Sequence, residues 1–303
     1  MDLRQLSTLI AIAEHGSFSS AARALYTVQS NVSAHVAKLE RQLGVTLVER
    51  STGRMTEEGQ RVVEGARRIM NELDDIRSDV TSADADVAGD ARVGVIGTVA
   101  GWLMAPLLAR VARDHPRVHP IISEGSTSAL IPNVVGGQLH AALVHLPLDD
   151  ADLDVRPLFE EELVLLVPHG HELASSPPAQ LSDLDRIPLL LPPRGSALRR
   201  ILERAAADAD ITLAARSEID GVRLLAALAL DGHGAAIVPA PSLGQHVPEG
   251  VTVARPAGLP RRVVGLATRR RPRPSAATRV VLDALESTVV DLLDPATGVH
   301  SLS

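Results

Sequence analysis

The segment from His15 to Gly59 constrains the fold of this chain most strongly, because it has the pattern of a helix-turn-helix with a wing. The run 16–25 predicts a short helix whose small alanines allow a second helix to cross closely. After the turn at Tyr26, apolar residues recur at helical spacing until Gly44, a residue typical of a helix C-terminus. These apolar positions are Val28, Val32, Val36, Leu39 and Leu43.

The opposite face of this second helix carries short or hydrogen-bonding side chains, which is the makeup of a recognition helix in the major groove of DNA. We expect Arg50, and Arg54 in the wing 51–54, to hold the DNA backbone. The alternative is a helical hairpin inside a larger core, since a polar helix face is commonly only solvated. Residues 1–60 carry equal numbers of basic and acidic side chains, so order and spacing, not charge, favour DNA binding. The predicted contacts on the helix are Gln29, Ser30, Asn31, Ser33, Ala34 and Lys38, with Ala34 offering only a methyl group.

A long amphipathic helix is predicted directly after the wing. Thr56 can cap it, and apolar residues then recur in alternating steps of four and three, as in a coiled coil. Roughly 30 helical residues span about 45 Å, which is longer than a small domain needs, so we favour dimerisation over burial against the same chain. The seam consists of Val62, Ala66, Ile69, Leu73, Ile76, Val80 and Ala83, and the small, acidic stretch 81–90 ends in a hinge.

Several motifs in this order resemble the LysR-type transcriptional regulators. They are 1–6, Gly16-Ser17-Phe18, 39–47, Glu49-Arg50 and 56–59. The chain departs from the family at Ser30, where proline is usual, at Ala34, where a basic residue is usual, and at Val48, where phenylalanine is usual. The resemblance implies a sequence-specific DNA-binding regulator of transcription that responds to a small effector.

From residue 90 onward, alternating strands and helices predict an α/β region with parallel sheets covered by helices. The resemblance implies two lobes like those of periplasmic binding proteins, with crossing strands near Glu162 and Leu266. The expected domains are 1–58 for DNA binding, 59–89 for the dimerisation helix and 90–303 for the effector. Lobe one is expected at about 91–161 and 267–303, and lobe two at about 162–266.

Ligands of open α/β sheets bind where strands end and helices begin. The resemblance brings four such turns to the cleft between the lobes, where a small organic acid is expected, with Arg194 and Arg223 as counter-ions. Each hydroxyl in these turns could instead be a helix N-cap, because both roles use the same geometry. The candidate effector residues are Thr98, Val99, Ser126, Thr127, Arg194, Ser196, Ile219 and Arg223.

Composition narrows the remaining functions. The chain has no cysteine, which excludes disulfides and thiol chemistry within it. No metal-binding cluster, cofactor motif or arrangement of nucleophile and base is recognised, so we expect no cofactor and no enzyme. No leader or membrane span is recognised either, and the expected location is cytoplasmic. Expected partners are operator DNA, the effector and a second copy of the chain, with a homotetramer implied by the resemblance. A small-molecule binding protein without a DNA role is the alternative, and an α/β enzyme is a third.

Overall fold

In the computed structural model, residues 1–81, 87–244, 247–271 and 273–302 are described. The chain divides into two compact units, of which unit 1 is 1–81 with 136–138 and unit 2 is the remainder. Ala83 of the predicted seam, and 82–86 of the predicted hinge, lie outside the described residues. No helix in the described part of the chain is both long enough and apolar enough to cross a membrane.

Unit 1 contains the helices α1 (Leu3–His15), α2 (Phe18–Ala24), α3 (Gln29–Leu43) and α4 (Glu57–Thr81). Asp2 and Gln5 form a capping box that begins α1. Gly44 ends α3 with a φ of +73°, the left-handed conformation that favours glycine. The predicted apolar face of α3 is buried at its centre, where Val32, Val36 and Leu39 pack against α1 and α2.

Helix α4 divides the predicted seam into two parts. Ala66 is buried and Val62 is partly buried, and both pack in the core of the helix-turn-helix. Ile69, Ile76 and Val80 are 41%, 52% and 80% exposed. The expectation of one continuous dimer stripe is therefore wrong for its first turns, because α4 begins by packing against its own domain. The apolar positions from Ile69 onward remain available for a second copy.

Unit 2 contains two sheets, and its strands and helices are numbered in chain order. The strands are β1 (Gly89–Val95), β2 (Val118–Glu124), β3 (Ala141–His145), β4 (Leu153–Glu161), β5 (Leu163–Val167), β6 (Pro188–Leu191), β7 (Ala214–Glu218), β8 (Ala236–Pro239), β9 (Thr252–Ala254), β10 (Arg262–Arg269) and β11 (Val299–His300). The helices are α5 (Gly97–Asp114), α6 (Thr127–Val135), α7 (Ala197–Asp208), α8 (Val222–Leu230) and α9 (Ala276–Leu292).

The two sheets define two lobes. The sheet of lobe one has the strand order β11-β4-β10-β3-β1-β2, and that of lobe two has the order β7-β6-β8-β5-β9. Strand β1 runs parallel to β2 and β3, whereas β10 runs antiparallel to β3 and β4. In lobe two, β6 runs parallel to β7 and β8, and β5 runs antiparallel to β8 and β9. Both sheets are therefore mixed, which corrects the expectation of purely parallel sheets.

The chain crosses between the lobes twice. Strand β4 ends at Glu161 in one sheet and β5 begins at Leu163 in the other, so the first crossing is at Glu162. The expectation of a second crossing near Leu266 is wrong, because Leu266 pairs with Leu143 of β3 and lies inside lobe one. The chain has returned to lobe one by Arg262, where β10 begins. The apolar run after Arg262 is buried between two neighbouring strands, and this pairing is not visible in local sequence.

Candidate DNA-binding surface and effector cleft

The polar face of α3 is accessible within unit 1. Five of the six predicted contacts on this helix are exposed, and Ser33 is half-buried. The side-chain amide of Asn31 donates to Thr27 Oγ1 at 3.0 Å, so this residue also ties the helix to the preceding turn. Val32 and Val36 anchor the opposite face in the core. The exposed contacts are Gln29, Ser30, Asn31, Ala34 and Lys38.

The wing is a short hairpin held against the helix-turn-helix. The amide of Glu49 donates to the Arg54 carbonyl at 2.9 Å, which closes the hairpin. Gly53 adopts a φ of +74°, and a Cβ added there would lie 2.8 Å from the carbonyl oxygen of Gly16. Because only glycine fits both the conformation and the contact, the wing is fixed beside the turn that precedes α2. The Arg54 side chain is exposed on this hairpin.

Glu40 is a structural residue of this surface that the sequence reasoning missed. Its Oε1 accepts the amides of Leu47 and Val48 at 2.9 and 3.3 Å, and its Oε2 accepts from Arg50 at 2.9 Å. The Arg50 guanidinium also lies 5.3 Å from the centroid of the Phe18 ring. Arg50 thus helps to join the wing to α2 and α3 while its side chain stays 49% exposed.

In unit 2, helix α5 begins without a side-chain cap. Ile96 is its N-cap residue and makes no side-chain hydrogen bond. The amides of Val99 and Ala100 bond to the Ile96 carbonyl at 3.0 and 3.1 Å. Among the described residues, the amides of Gly97 and Thr98 have no hydrogen-bond acceptor. Such a terminus favours an anion, because free N–H groups and the helix dipole both point at it.

Thr98 is 3% exposed, and its hydroxyl is bound to a buried arginine. Arg262 Nη2 donates to Thr98 Oγ1 at 2.8 Å, and Arg262 Nε donates to Glu161 Oε2 at 2.7 Å. Burial lowers the pKa of Arg262, while Glu161 raises it. Arg262 Nη1 and Glu161 Oε1 are buried and have no hydrogen-bond partner among the described residues. Thr98 is therefore neither a helix cap nor an exposed hydroxyl, and one donor and one acceptor beside it are unused.

His145, at the end of β3, belongs to the same polar group. Its Nδ1 is buried and has no hydrogen-bond partner in the part of the chain that the structure describes. Burial holds the pKa of His145 well below its usual value, and the positive charge of Arg262 lowers it further. The imidazole is therefore neutral at physiological pH. Sequence reasoning missed Arg262, Glu161 and His145, although charged residues at the ends of apolar strands were the available signal.

The predicted hydroxyls differ in role. Ser126 Oγ accepts the amide of Ala129 at 3.3 Å, and Ser196 Oγ accepts the amide of Arg199 at 3.3 Å, so both act as helix caps. Thr127 Oγ1 accepts the amide of His145 at 3.1 Å and ties α6 to β3. Ser126 Oγ also lies 3.0 Å from Ser128 Oγ, whereas the hydroxyls of Thr127 and Ser196 can still donate their hydrogen to a ligand.

The two apolar candidates for the effector site, Val99 and Ile219, differ in position. Val99 is fully buried in the core of lobe one, because α5 packs that side onto its own sheet, so the side chain of Val99 cannot line the cleft. Ile219 is half-buried against the core of lobe two, and its amide bonds to the Leu191 carbonyl at 2.9 Å. Ile219 thus lies directly after β7, in the turn that precedes α8.

The predicted counter-ions already have carboxylate partners. Arg223 Nη1 lies 3.3 Å from Glu124 Oε2, which joins α8 of lobe two to the end of β2 in lobe one. Arg194 Nε lies 3.8 Å from Glu218 Oε1. Helix α5 packs beside α8 in the same region, so the Glu124–Arg223 pair bridges the two lobes. No group of three His, Asp or Glu side chains in the described ranges could hold a metal ion.

A winged helix-turn-helix together with a two-lobed α/β unit defines a class of DNA-binding proteins with a ligand-type domain. A family model described as a bacterial regulatory helix-turn-helix protein of the lysR family matches residues 3–60. A second, described as the LysR substrate binding domain, matches residues 84–289. The chain belongs to the LysR family of transcriptional regulators, which confirms the predicted family and fold class.

Individual relatives agree with this assignment. A probable hydrogen peroxide-inducible genes activator of Streptomyces viridosporus is 31% identical over 78% of this chain and 77% of its own length. A full-length OxyR variant from Pseudomonas aeruginosa is 25% identical, covers 100% of this chain and 99% of its own, and has a TM-score of 0.72. CbnR complexed with its target DNA is 23% identical over 95% and 100% of the two chains, with a TM-score of 0.72, and shows the shared fold.

Proposed function

We propose that this DNA-binding regulator responds to a small carboxylate-bearing effector held at the N-terminus of α5. One observation carries the proposal: the uncapped amides of Gly97 and Thr98 lie beside the buried, partly unsatisfied guanidinium of Arg262. A buried donor without an acceptor is costly, and a carboxylate oxygen would relieve that cost. The dipole of an 18-residue helix favours the same sign of charge.

The DNA-reading part of the proposal assigns base contacts to α3 and backbone contacts to Lys38 and the wing. The exposed amide of Gln29 can pair bidentately with adenine, and Ser33 lies one turn further along the helix. Lys38 and Arg54 present exposed cationic side chains that suit phosphates. Two copies of the chain, joined through α4, would place two such helices on two half-sites.

The DNA contacts are tested by titrating the full chain against the DNA upstream of its own gene. Gln29→Ala with Ser33→Ala should weaken specific binding by about 1–3 kcal/mol per lost bidentate contact. Lys38→Ala should reduce the slope of log K against log salt by about one, because one phosphate contact is lost. Arg113→Ala, which removes an exposed arginine of α5, is the matched control. Unchanged affinity in the double variant would remove the base-reading assignment.

The effector site is tested by a matched pair at Thr98. Thr98→Val removes the hydroxyl that accepts from Arg262, whereas Thr98→Ser keeps it. Short carboxylates, dicarboxylates and L-amino acids serve as probes in thermal-shift titrations of the full chain. We expect any stabilising probe to lose about tenfold or more in affinity with valine and little with serine. A probe that binds both variants and the parent equally would show that this helix terminus is not the site.

The peroxide response named for some relatives does not fit this chain. Peroxide signals through cysteine thiolates that pass to sulfenic acid or disulfide. These 303 residues contain no cysteine. We therefore propose a reversibly bound ligand in place of an oxidant. Treatment with hydrogen peroxide should leave operator binding unchanged, and a reversible, peroxide-dependent loss or gain would contradict the proposal.

A further inference from the structure

The ion pair between Glu124 and Arg223 lies over the helix terminus that the proposed effector would occupy. A Cβ added to Gly97, the first residue of α5, would lie 2.8 Å from Glu124 Oε1 and 3.4 Å from Arg223 Cδ. The carboxylate of Glu124 is therefore close to the uncapped end of α5, and the guanidinium of Arg223 reaches it from the other lobe. Any side chain at position 97 would intrude on this space.

Four arginines near the predicted ligand turns are paired with four carboxylates. Arg223 pairs with Glu124, and the buried Arg262 pairs with Glu161. Arg194 pairs with Glu218, and Arg199 pairs with both Glu218 and Glu203. Asp220, exposed and near the start of α8, adds another negative charge. A ligand that carries only a negative charge would thus enter a site whose cations are neutralised.

Charge balance then selects the ligand class. The side chains of Glu124 and Arg223 are 49% and 58% exposed, and such exposed pairs are weak, so a ligand can separate them. A simple carboxylate that takes Arg223 leaves Glu124 facing a second negative charge, which is unfavourable. A ligand with an ammonium group beside its carboxylate pairs with both residues and leaves neither charge unmatched.

We infer that the effector is a small zwitterion of the α-amino acid class. Its carboxylate binds Arg223 and the amides of Gly97 and Thr98, and its ammonium group binds Glu124. This inference rests on the proposed effector site at α5 and specifies the ligand for that site. Glu124 is then the residue that distinguishes an amino acid from the matching simple acid.

The test compares matched ligands on the full chain. The proteinogenic L-amino acids are screened by thermal shift, and each stabilising one is titrated by calorimetry beside its acid without the amino group, for example L-leucine beside 4-methylpentanoate. We expect at least one amino acid to bind about tenfold or more tightly than its matching acid. Glu124→Gln should remove most of that preference, because it lowers the affinity for the amino acid. Asp114→Asn, which removes an exposed carboxylate paired with Arg113 at the far end of α5, should keep it.

Three results would overturn the inference. Equal or tighter binding of the simple acid would show that the carboxylate site exists but selects no ammonium group, which leaves the proposed function intact. Tighter binding of both ligand types by Glu124→Gln would show that Glu124 only competes for the site. If neither the amino acids nor their matching simple acids bind, both the inferred zwitterionic ligand and the proposed effector site are refuted.

Discussion

His140 provides a test of how unit 2 responds to pH. This side chain is buried ahead of β3, and its Nδ1 accepts the amide of Arg92 at 3.1 Å and lies 2.8 Å from Thr278 Oγ1. The Arg92 amide can only donate, so this contact requires an unprotonated Nδ1, to which the Thr278 hydroxyl can then donate as well. Burial first, and then the charges of Arg92 and Arg269, lower the pKa of His140 from 6.5 to about 4.

This shift in pKa makes unit 2 less stable in mild acid. Between the two pKa values, His140 binds a proton in the unfolded chain but not in the folded one. The contribution of His140 to the free energy of unfolding is therefore fully present above about pH 6.5 and is lost as the pH falls toward about 4. At about 1.36 kcal/mol for each pKa unit, the full loss is about 3 kcal/mol. From about pH 7.5 to about pH 5 the expected loss is about 2 kcal/mol.

Urea unfolding followed by tryptophan fluorescence measures this loss. The chain has one tryptophan, Trp102, which packs edge-on against Phe159 at 5.3 Å in the core of lobe one. His140→Asn keeps an acceptor near Nδ1 but cannot titrate, so its loss of stability between the two pH values should be about 2 kcal/mol smaller than in the parent. Other titrating groups, His145 included, cancel in this difference. Parallel pH dependence in the two proteins would refute the reasoning.

Three further predictions concern other parts of the chain. Gly59→Ala should lower the melting temperature, because its Cβ would overlap the Leu47 backbone and lie 2.9 Å from the Leu47 carbonyl carbon. Gly65→Ala in the same helix should raise the melting temperature, because its Cβ would make only an ordinary contact with Arg68 Nη2 at 3.6 Å. Ile76→Asp should convert the dimer into monomers, as measured by light scattering, and weaken operator binding. The reason is that burying an unpaired charge in an apolar dimer seam is unfavourable. Arg262→Met alone should cost about 3–5 kcal/mol in urea unfolding by leaving Glu161 buried and unpaired, whereas Arg262→Met with Glu161→Leu should recover most of that loss.

Local sequence predicted the helix-turn-helix well because its signals are local. Gly44 ends α3 through its own backbone conformation, and Val32 and Val36 repeat at the spacing that buries one face. The wing was predicted too, but the contacts that attach it to the helix-turn-helix were not. The contacts of Gly53 with Gly16, and of Glu40 with the amides that follow α3, join residues whose proximity depends on the folded domain.

The effector half was predicted in its class and less well in its details. Strand and helix alternation indicated α/β lobes, yet the place of Leu266 depended on an antiparallel pairing between β10 and distant strands. The site residues were chosen by their position after strands, and that rule cannot distinguish a cap such as Ser126 from a free hydroxyl. It also misplaced Val99, since a shift of one or two residues along a helix decides whether a side chain faces the sheet or the cleft.

The buried pair of Arg262 and Glu161 would connect the proposed effector site directly to both crossings between the lobes. Glu161 is the last residue before the first crossing, and Arg262 is the first residue of β10 after the second. The same guanidinium binds Thr98 at the start of α5. A ligand can bias a conformation only through contacts that differ between states. Because Arg262 contacts both the helix terminus and the last residue of β4, a ligand bound at that terminus acts on a residue that lies beside both crossings. The proposed site therefore needs no long path through the core to influence the arrangement of the lobes.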